Sequence, residues 1–271
     1  MEIRIFDVEQ GFCAYVIADN GNVMLIDCGM NCSTGFRPSS YLVRNGCTGI
    51  GKLIITNFDG DHIADLPALI KTGLPIQVLT RNNTISAADL RALKLEGGPI
   101  SPAMEVFLSL HGGYTQPVSS PPDFAGIDEQ FFFNSYPAFS DTNNLSLVVF
   151  LYYQNIHIVF PGDVEKAGWQ ALLKNRSFVQ NLATVNFFVA AHHGRDSGYC
   201  PEVFDYCKPE LVIISDEAIQ YDTQDVDYNQ HVSGVQWPNE RRYVLTTRKH
   251  GMITISQKPG QQGCLVNTAK G

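Results

Sequence analysis

The chain has 271 residues, of which 44% are hydrophobic and 17% are charged, and this composition excludes a disordered chain. Its formal net charge of −8 excludes a protein that coats nucleic acid through a generally basic surface. No apolar run approaches the ~20 residues that a membrane-spanning helix needs, and the N-terminus fits a strand instead of a signal peptide. We therefore expect a cytoplasmic globular protein with no membrane association.

The first part of the chain alternates apolar segments with turn residues, as strands and helices do. The predicted elements are three strands of an antiparallel meander, then a helix, a strand, a helix, a strand and a helix: Glu2–Val8, Cys13–Ala18, Val23–Asp27, Ser39–Arg44, Leu53–Thr56, Asp61–Lys71, Ile76–Leu79 and Ser86–Leu93. Residues 112–141 are rich in Gly, Pro, Ser and aromatic residues. We predict a long loop or insertion there, with a hairpin inside it, of the kind that often serves binding.

The second part of the chain continues with a predicted hairpin, a helix, a strand, a helix, a strand and a closing hairpin. These elements are Leu145–Tyr152 with Ile156–Phe160, Glu165–Lys174, Val185–Ala190, Pro201–Cys207, Leu211–Ser215, and Tyr243–Thr246 with Met252–Ile255. Strands that come first and then alternate with helices, twice over, predict two packed sheets with helices outside. No repeat and no linker-like change of composition interrupts the chain, so we predict a single domain over residues 1–271.

The seven cysteines are scattered, and no two are spaced as Cys-x-x-Cys. An odd count without a regular spacing argues against a disulfide framework and against a cysteine zinc site. We expect buried or idle thiols in a reducing compartment.

One polar cluster, Asp59-Gly60-Asp61-His62, follows a predicted strand. Two carboxylates and an imidazole at a strand-to-helix turn can converge on one point. Carboxylates favour hard cations, and imidazole binds zinc, manganese or iron. The alternative is that Asp59 or Asp61 caps the helix and His62 is solvated.

Two more polar groups follow predicted apolar strands. Asp163 comes after Gly162, and His192 and His193 come after the strand that ends near Ala190. Adjacent histidines on an extended strand point apart, so we expect one to bind a metal and the other to contact substrate or transfer a proton. A helix cap and a surface pair of histidines are the alternatives. Three clusters at three strand ends are typical of a site built from distant segments.

At these motifs the chain resembles the metallo-β-lactamase-fold hydrolases, and among them the hydrolase domain of the ComEC-type DNA-uptake (competence) proteins and their free-standing relatives. The similarity runs in order through segments of the sequence that match family motifs: Phe6–Gly11, Leu25–Gly29, Ile54–His62, Asn143–Val148, Phe160–Val164, Ala191–Gly194 and Leu245–Ile253. The resemblance implies an α+β fold, an αββα sandwich of two mixed sheets flanked by helices, with the metal site at one edge between the sheets.

The resemblance also implies roles for individual residues. Asp61, His62 and His193 would form one metal subsite, Asp163 would bridge, and Asp59 would serve a second subsite. The implied cofactor is one or two divalent ions, Zn²⁺ or Mn²⁺, and Mg²⁺ is also compatible with the carboxylates.

The sequence departs from the family pattern at three positions. Asn57 replaces the first histidine of the metal motif, and Asn144 lies where many superfamily members have another histidine, although ComEC-like members have asparagine there. Asn57 and Asn144 are therefore predicted to be weak ligands, and the second subsite binds weakly, prefers manganese or magnesium, or stays empty. Asp65, where glycine is common, adds another carboxylate near the site.

The function that follows is metal-dependent hydrolysis of a phosphodiester, in a nuclease that acts through a metal-activated water. Asp61 would orient the water, and His192 would stabilise developing charge or protonate the leaving oxygen. Arg195, Ser197, Lys249 and His250 are the predicted substrate contacts, and the alternative is that they lie in exposed turns without contact to substrate.

Two other functions stay open at this stage. The first is hydrolysis of a small phosphodiester or an ester, which the acidic charge and the aromatic residues of 112–141 favour slightly. The second is a catalytically degenerate binding or regulatory module, for which Asn57 is the main support. The expected partner is a nucleic acid or a small phosphodiester substrate, and the chain would act alone or with a protein partner.

Overall fold

Fifteen strands and eight helices position the candidate site in the computed structural model, which describes residues 1–217 and 228–270. The strands in chain order are β1 (Glu2–Ile5), β2 (Ala14–Ile17), β3 (Val23–Ile26), β4 (Ile50–Ile54), β5 (Ile76–Thr80), β6 (Asp128–Phe133), β7 (Leu147–Tyr153), β8 (Ile156–Phe160), β9 (Phe187–Val189), β10 (Leu211–Ile214), β11 (Val235–Gln236), β12 (Arg241–Arg242), β13 (Val244–Thr246), β14 (Ile253–Ser256) and β15 (Leu265–Thr268). The helices are α1 (Pro38–Arg44), α2 (Gly60–Ile63), α3 (Leu66–Lys71), α4 (Ala87–Glu96), α5 (Pro102–Gly113), α6 (Lys166–Leu172), α7 (Arg176–Leu182) and α8 (Thr247–His250). Short 3₁₀ turns cover Ala191–Gly194 and Pro201–Asp205.

Two mixed sheets carry most of these strands. The first has the order β15-β14-β1-β2-β3-β4-β5, and the second has the order β13-β10-β9-β8-β7-β6. In the first sheet β3, β4 and β5 run parallel, and in the second β8, β9, β10 and β13 run parallel. The remaining neighbours pair antiparallel, and β11 and β12 form a separate ribbon.

Three apolar layers hold the sandwich together. One lies between the sheets, one lies between the first sheet and α1 to α5, and one lies between the second sheet and α6 and α7. Successive side chains of a strand point to opposite faces, so Ile54 enters the layer between the sheets whereas Leu53 packs under the helices. Burying a large apolar side chain stabilises the fold by about 1.5–3 kcal/mol. The predicted α+β sandwich of mixed sheets flanked by helices is confirmed.

Most of the predicted elements are present, and the antiparallel meander of β1, β2 and β3 is confirmed. The single helix predicted over residues 61–71 is instead two helices, α2 and α3. The break falls at Asp65, whose backbone N–H donates to the carbonyl of Cys28, and Pro67, the second residue of α3, has no backbone N–H to continue a helix from α2. Three helices were not predicted, α5, α7 and α8, although Ser101, Asn175 and Thr246 cap them as their residue types favour.

The closing hairpin was predicted wrongly. β13 pairs parallel with β10 in the second sheet, whereas β14 pairs antiparallel with β1 and β15 in the first sheet. The short helix α8 connects the two, so the chain crosses from one sheet to the other instead of turning back on itself.

Residues 112–141 do not contain the expected hairpin. Within this segment β6 pairs with β7, outside the segment, and becomes the edge strand of the second sheet. Its aromatic residues mostly pack on the core: Phe124 and Phe131 on the layer between the sheets, and Tyr114, Tyr136 and Phe139 on the layer under the helices. Among the described residues, no helix is long and apolar enough to cross a membrane.

Candidate metal centre

Polar side chains gather at one edge of the sandwich because parallel strands end there. Asp27 follows β3, Asp163 follows β8, and His193 follows β9. The carboxyl ends of β8 and β9 are neighbours, since Ile158 pairs with Phe187 in parallel register. The predicted ligands Asp61, His62, Asp163 and His193 thereby come together, and one ligand atom of each lies within 4.8 Å of the others. We call these four residues the Asp/His cluster.

Asp163 lies between the two histidines of the cluster. Its Oδ1 is 3.0 Å from Nε2 of His62 and 3.5 Å from Nε2 of His193. Asp61 Oδ2 lies 3.4 Å from the same His193 nitrogen. His62, Asp163 and His193 are buried, whereas the side chain of Asp61 is 33% exposed, so the cluster opens to solvent beside Asp61.

Both histidines present Nε2 to the cluster because their Nδ1 atoms have other partners. His62 Nδ1 lies 2.8 Å from Oδ2 of Asp27, and this carboxylate also accepts from the backbone N–H and the hydroxyl of Thr56. His193 Nδ1 lies 3.1 Å from the carbonyl oxygen of Ser215. An acceptor at Nδ1 selects the tautomer with its proton there and leaves the Nε2 lone pair for a ligand.

Asp27 contacts the cluster through His62 Nδ1, and the sequence did not predict it as a site residue. The available signal was its position directly after a buried strand, in the segment Leu25–Gly29 that matches a family motif. Its carboxylate is completely buried, and burial raises its pKa while His62 and Thr56 act in the opposite direction.

The electrostatics of the cluster couple its acids to its imidazoles. Burial disfavours charge, but the Asp163 and Asp27 carboxylates outweigh it and raise the pKa of His62 well above its usual range. Burial likewise opposes the charge on His193, yet Asp163 and Asp61 raise its pKa to about 9. The two imidazoles in turn hold the pKa of Asp163 well below its usual range. Without a cation, therefore, the histidines retain protons that a metal ion would replace.

The backbone holds His192 and His193 in a turn instead of an extended strand. Both residues have positive φ, 48° and 56°, which is uncommon for residues other than glycine. This turn separates the two side chains, and their ring centroids are 6.2 Å apart. His193 enters the cluster, and His192 lies beside it.

His192 lies beside two of the four residues predicted to contact substrate, Ser197 and Arg195, and beside Glu165. Ser197 Oγ lies 2.9 Å from its Nδ1, and Glu165 Oε1 lies 3.3 Å from the same atom. Arg195 Nη1 is 3.3 Å from its Nε2. Burial lowers the pKa of His192, and the positive charges of His193 and Arg195 act in the same direction. A hydroxyl and a guanidinium are therefore placed next to the cluster.

Asp59, predicted for a second subsite, does not join the cluster. Its carboxylate pairs with the ammonium of Lys94 and accepts a hydrogen bond of 2.9 Å from the Thr142 hydroxyl. The side-chain oxygen of Asn57 accepts from the Asp59 backbone N–H at 2.7 Å, and the Asn57 amide donates to Ser146 Oγ at 3.0 Å.

Asn144, the other predicted weak ligand, supports α6. Its side-chain oxygen accepts from the backbone N–H groups of Glu165 at 3.1 Å and Gly168 at 2.8 Å. Asp65, the extra carboxylate, is also engaged elsewhere, with Arg37 Nη1 at 2.9 Å and the Ser39 backbone N–H at 2.8 Å.

Lys249 and His250 lie in α8 instead of the predicted hairpin. His250 Nδ1 accepts from the Thr246 backbone N–H at 3.1 Å, and Lys249 is exposed. The structure brings neither of them into the Asp/His cluster, and their contact with substrate stays a prediction.

Comparisons with known proteins agree with this architecture. The chain is similar to the metallo-beta-lactamase fold protein YhfI from Bacillus subtilis, with 12% identity and a TM-score of 0.50 over 93% of this chain and 99% of that one. It is also similar to CmlA, a diiron beta-hydroxylase from Streptomyces venezuelae, with 14% identity and a TM-score of 0.51 over 93% of this chain and 53% of that one. Igni18, a metallo hydrolase from Ignicoccus hospitalis, has 12% identity and a TM-score of 0.48 over 95% of this chain and 100% of that one. At these identities the likeness to YhfI and CmlA shows the fold alone.

The sequence itself was compared with curated proteins and with protein families. No curated protein matched it significantly. The family described as the Metallo-beta-lactamase superfamily matches residues 10–195, a span that exceeds half of the chain and contains all four residues of the Asp/His cluster. On that match the chain belongs to the metallo-beta-lactamase superfamily of metal-dependent hydrolases.

Proposed function

We propose that this chain is a metal-dependent phosphodiesterase with the Asp/His cluster as its centre and a nucleic acid as its substrate class. The observation that carries the proposal is that four ligand atoms lie within 4.8 Å of one another, although their residues come from three separate segments of the chain. The resemblance of the sequence motifs to the ComEC-type hydrolase domain supports the choice of nucleic acid.

A divalent cation fits the residues that are present. His193 Nε2 is buried and has no hydrogen-bond partner among residues 1–217 and 228–270. Two carboxylate oxygens, Asp61 Oδ2 and Asp163 Oδ1, lie 3.4 Å and 3.5 Å from it, so a cation bound among these atoms would take the place of the proton on this nitrogen. Two imidazoles with two carboxylates suit Zn²⁺ or Mn²⁺ better than Mg²⁺, which prefers oxygen ligands alone.

Asp61, His62, Asp163 and His193 would hold this cation. When bound, it lowers the pKa of a water molecule and polarises a phosphoryl oxygen. The remaining steps belong to the chain. Asp27 and the Ser215 carbonyl keep the Nδ1 protons of His62 and His193 in place, and burial of both rings excludes competing water.

Substrate would be held by the residues around His192. The Arg195 guanidinium faces Nε2 of His192, so this nitrogen accepts and the proton lies on Nδ1, toward Ser197 and Glu165. Arg195 and Ser197 supply donors of the kind that bind phosphate oxygens. His192 in this tautomer would position Ser197 and Arg195 toward the substrate, in place of the leaving-group acid that the sequence suggested.

The alternative function, hydrolysis of a small molecule, was favoured by the acidic charge and by the aromatic residues of 112–141, and the second of these observations no longer favours it. The aromatic residues of 112–141 were taken to favour a small substrate, but Phe124 is buried between the sheets and Tyr136 packs under the helices. Neither residue is available as a lid over the cluster. The degenerate binding module retains Asn57 as its support and becomes an outcome of the experiment.

The proposal is tested by measuring cleavage beside bound metal. Purified protein would be incubated with single- and double-stranded DNA, RNA and bis-p-nitrophenyl phosphate, with Mn²⁺, Zn²⁺ or Mg²⁺ added. We compare His193→Ala with the matched control His157→Ala, because His157 lies on β8 and contacts the carbonyls of Thr184 and Gln154 instead of the cluster.

We expect metal-dependent cleavage of a nucleic acid that His193→Ala abolishes and His157→Ala retains. Cleavage of the small diester alone would overturn the choice of nucleic acid. A folded protein that binds metal and cleaves none of these substrates would overturn the phosphodiesterase, and a protein that binds no metal would leave the binding module.

A further inference from the structure

Asp59 already has a cation beside it, supplied by the chain. Lys94, in the last turn of α4, places its ammonium on the Asp59 carboxylate and 3.3 Å from the Thr142 hydroxyl. Thr142 donates in turn to the same carboxylate oxygen of Asp59. The side chains of Lys94 and Asp59 are only 20% and 34% exposed, so water screens this pair less than a fully exposed one.

The neighbouring oxygen ligands are also occupied. The Asn57 side-chain oxygen accepts from the Asp59 backbone, and the Asn144 side-chain oxygen accepts from Glu165 and Gly168. A second metal ion at Asp59 would therefore have to displace the Lys94 ammonium and break these hydrogen bonds. Its remaining protein ligands would be few, and none of these three side chains offers an imidazole.

We propose that the ammonium of Lys94 takes the place of a second metal ion at Asp59, so that the centre binds one divalent ion through Asp61, His62, Asp163 and His193. This inference rests on the proposed function only in requiring that the cluster binds a cation. It makes Lys94 a residue that determines metal stoichiometry, and it makes Asp59 its counter-ion instead of a metal ligand.

The experiment measures stoichiometry and affinity without any activity assay. Zn²⁺ and, separately, Mn²⁺ would be titrated into metal-free protein by isothermal titration calorimetry, and the bound ions would be counted by elemental mass spectrometry. The variants are Asp59→Asn, Asp61→Asn, Lys94→Ala and the matched control Lys94→Arg, each checked for folding by circular dichroism. The Lys94–Asp59 pair is partly exposed, so its loss leaves the fold intact.

We expect one ion per chain in the wild type, in Asp59→Asn and in Lys94→Arg. Asp61→Asn should weaken metal binding at least about tenfold, because it replaces a carboxylate ligand with a neutral amide. Substitution of residues that only hydrogen-bond to a ligand already lowers metal affinity 10–100-fold. Lys94→Ala exposes the Asp59 carboxylate and should add a second, weaker binding event.

Several results would overturn the inference. Two ions in the wild type, or the loss of an ion in Asp59→Asn, would show that Asp59 is a ligand. A Lys94→Ala variant that binds as the wild type does would show that Lys94 is not what excludes a second ion. A wild type that binds no ion at all would instead overturn the proposed function, and this inference with it.

Discussion

Asp27 Oδ2 lies 2.8 Å from Nδ1 of His62, on the side of the ring opposite the Asp/His cluster. The carboxylate comes from the end of β3 and the imidazole from α2, so the contact joins the first sheet to the metal centre. A carboxylate in this position orients the ring and increases the basicity of the nitrogen that binds metal.

We expect Asp27→Asn to weaken metal binding by about 10–100-fold while the protein stays folded. The amide keeps the shape of the side chain but loses the negative charge. Its NH2 group can only donate hydrogen bonds, so it cannot accept the hydrogen bond that Thr56 donates to the carboxylate. Titration calorimetry with Zn²⁺ would measure the change in Kd.

Asp65→Asn is the matched control, because Asp65 is an equally buried carboxylate that contacts Arg37 and Ser39 instead of His62. It should lower thermal stability and leave the metal Kd unchanged. If both variants weakened binding equally, the effect would be a general loss of packing, and the role of Asp27 would be wrong.

Gly29, after β3, permits the close approach of its segment to the backbone of α2 at Asp61. A Cβ atom at Gly29 would lie 2.5 Å from the Asp61 carbonyl oxygen and 2.8 Å from the Phe12 carbonyl oxygen. We expect Gly29→Ala to destabilise the fold by about 1–3 kcal/mol, as overpacking does, and to weaken metal binding. Urea denaturation and zinc titration would measure the two effects.

Gly60→Ala is the control for that substitution. Gly60 begins α2 one residue before Asp61, and a Cβ there meets no atom within 4 Å. The variant should match the wild type in both measurements. Destabilisation of the same size in both variants would contradict the argument from close approach.

Removal of metal should lower the melting temperature. A ligand at 100 times its Kd stabilises the folded state by about 2.7 kcal/mol, which corresponds to roughly 5 °C or more in a chain of this size. Differential scanning calorimetry with saturating Zn²⁺ and then with excess chelator would record the shift and its reversal. The shift should be absent in His193→Ala, and an equal shift in that variant would place the bound ion outside the cluster.

His111, on α5, should make the protein less stable in acid. Arg81 Nε donates to its Nδ1 at 3.0 Å, and its Nε2 lies 2.9 Å from the Ile85 carbonyl, so the folded ring is neutral. Burial lowers its pKa, and the Arg81 charge acts in the same direction. The unfolded state then binds the proton more tightly, so this contribution to stability is complete above about pH 6.5 and is lost as the pH falls through the lower folded pKa.

The measurement is the free energy of unfolding of metal-free protein at pH 7 and pH 5, for the wild type and His111→Gln. The variant removes the titrating group but keeps an amide that can bond to the same neighbours. We expect the wild type to lose more stability between the two pH values than the variant does. Parallel pH profiles would contradict the prediction.

Local patterns in the sequence were enough to predict two packed sheets with helices outside and to select polar residues at three strand ends, among them the four residues of the cluster, whereas their roles as ligands came from the resemblance to the family. Alternation and apolar runs identify strands, because burial on one or both faces of a sheet constrains each residue locally. Polar residues directly after such strands mark the edge where strand ends meet. For this reason Asp61, His62, Asp163 and His193 could be named together from the sequence, although Asp163 is separated from His62 by 100 residues of intervening chain.

Only the tertiary structure decided which partners these residues have. Thr246 and Met252 stand six residues apart, yet β13 and β14 belong to different sheets, because each strand pairs with neighbours from distant parts of the chain. The same holds at the site: Lys94 on Asp59, Glu165 and Gly168 on Asn144, and Asp27 on His62 are contacts between distant segments. Residue type and spacing identify a side chain that can bind a metal, but a hydrogen bond or a counter-ion brought from elsewhere in the fold determines whether its lone pairs are free to do so.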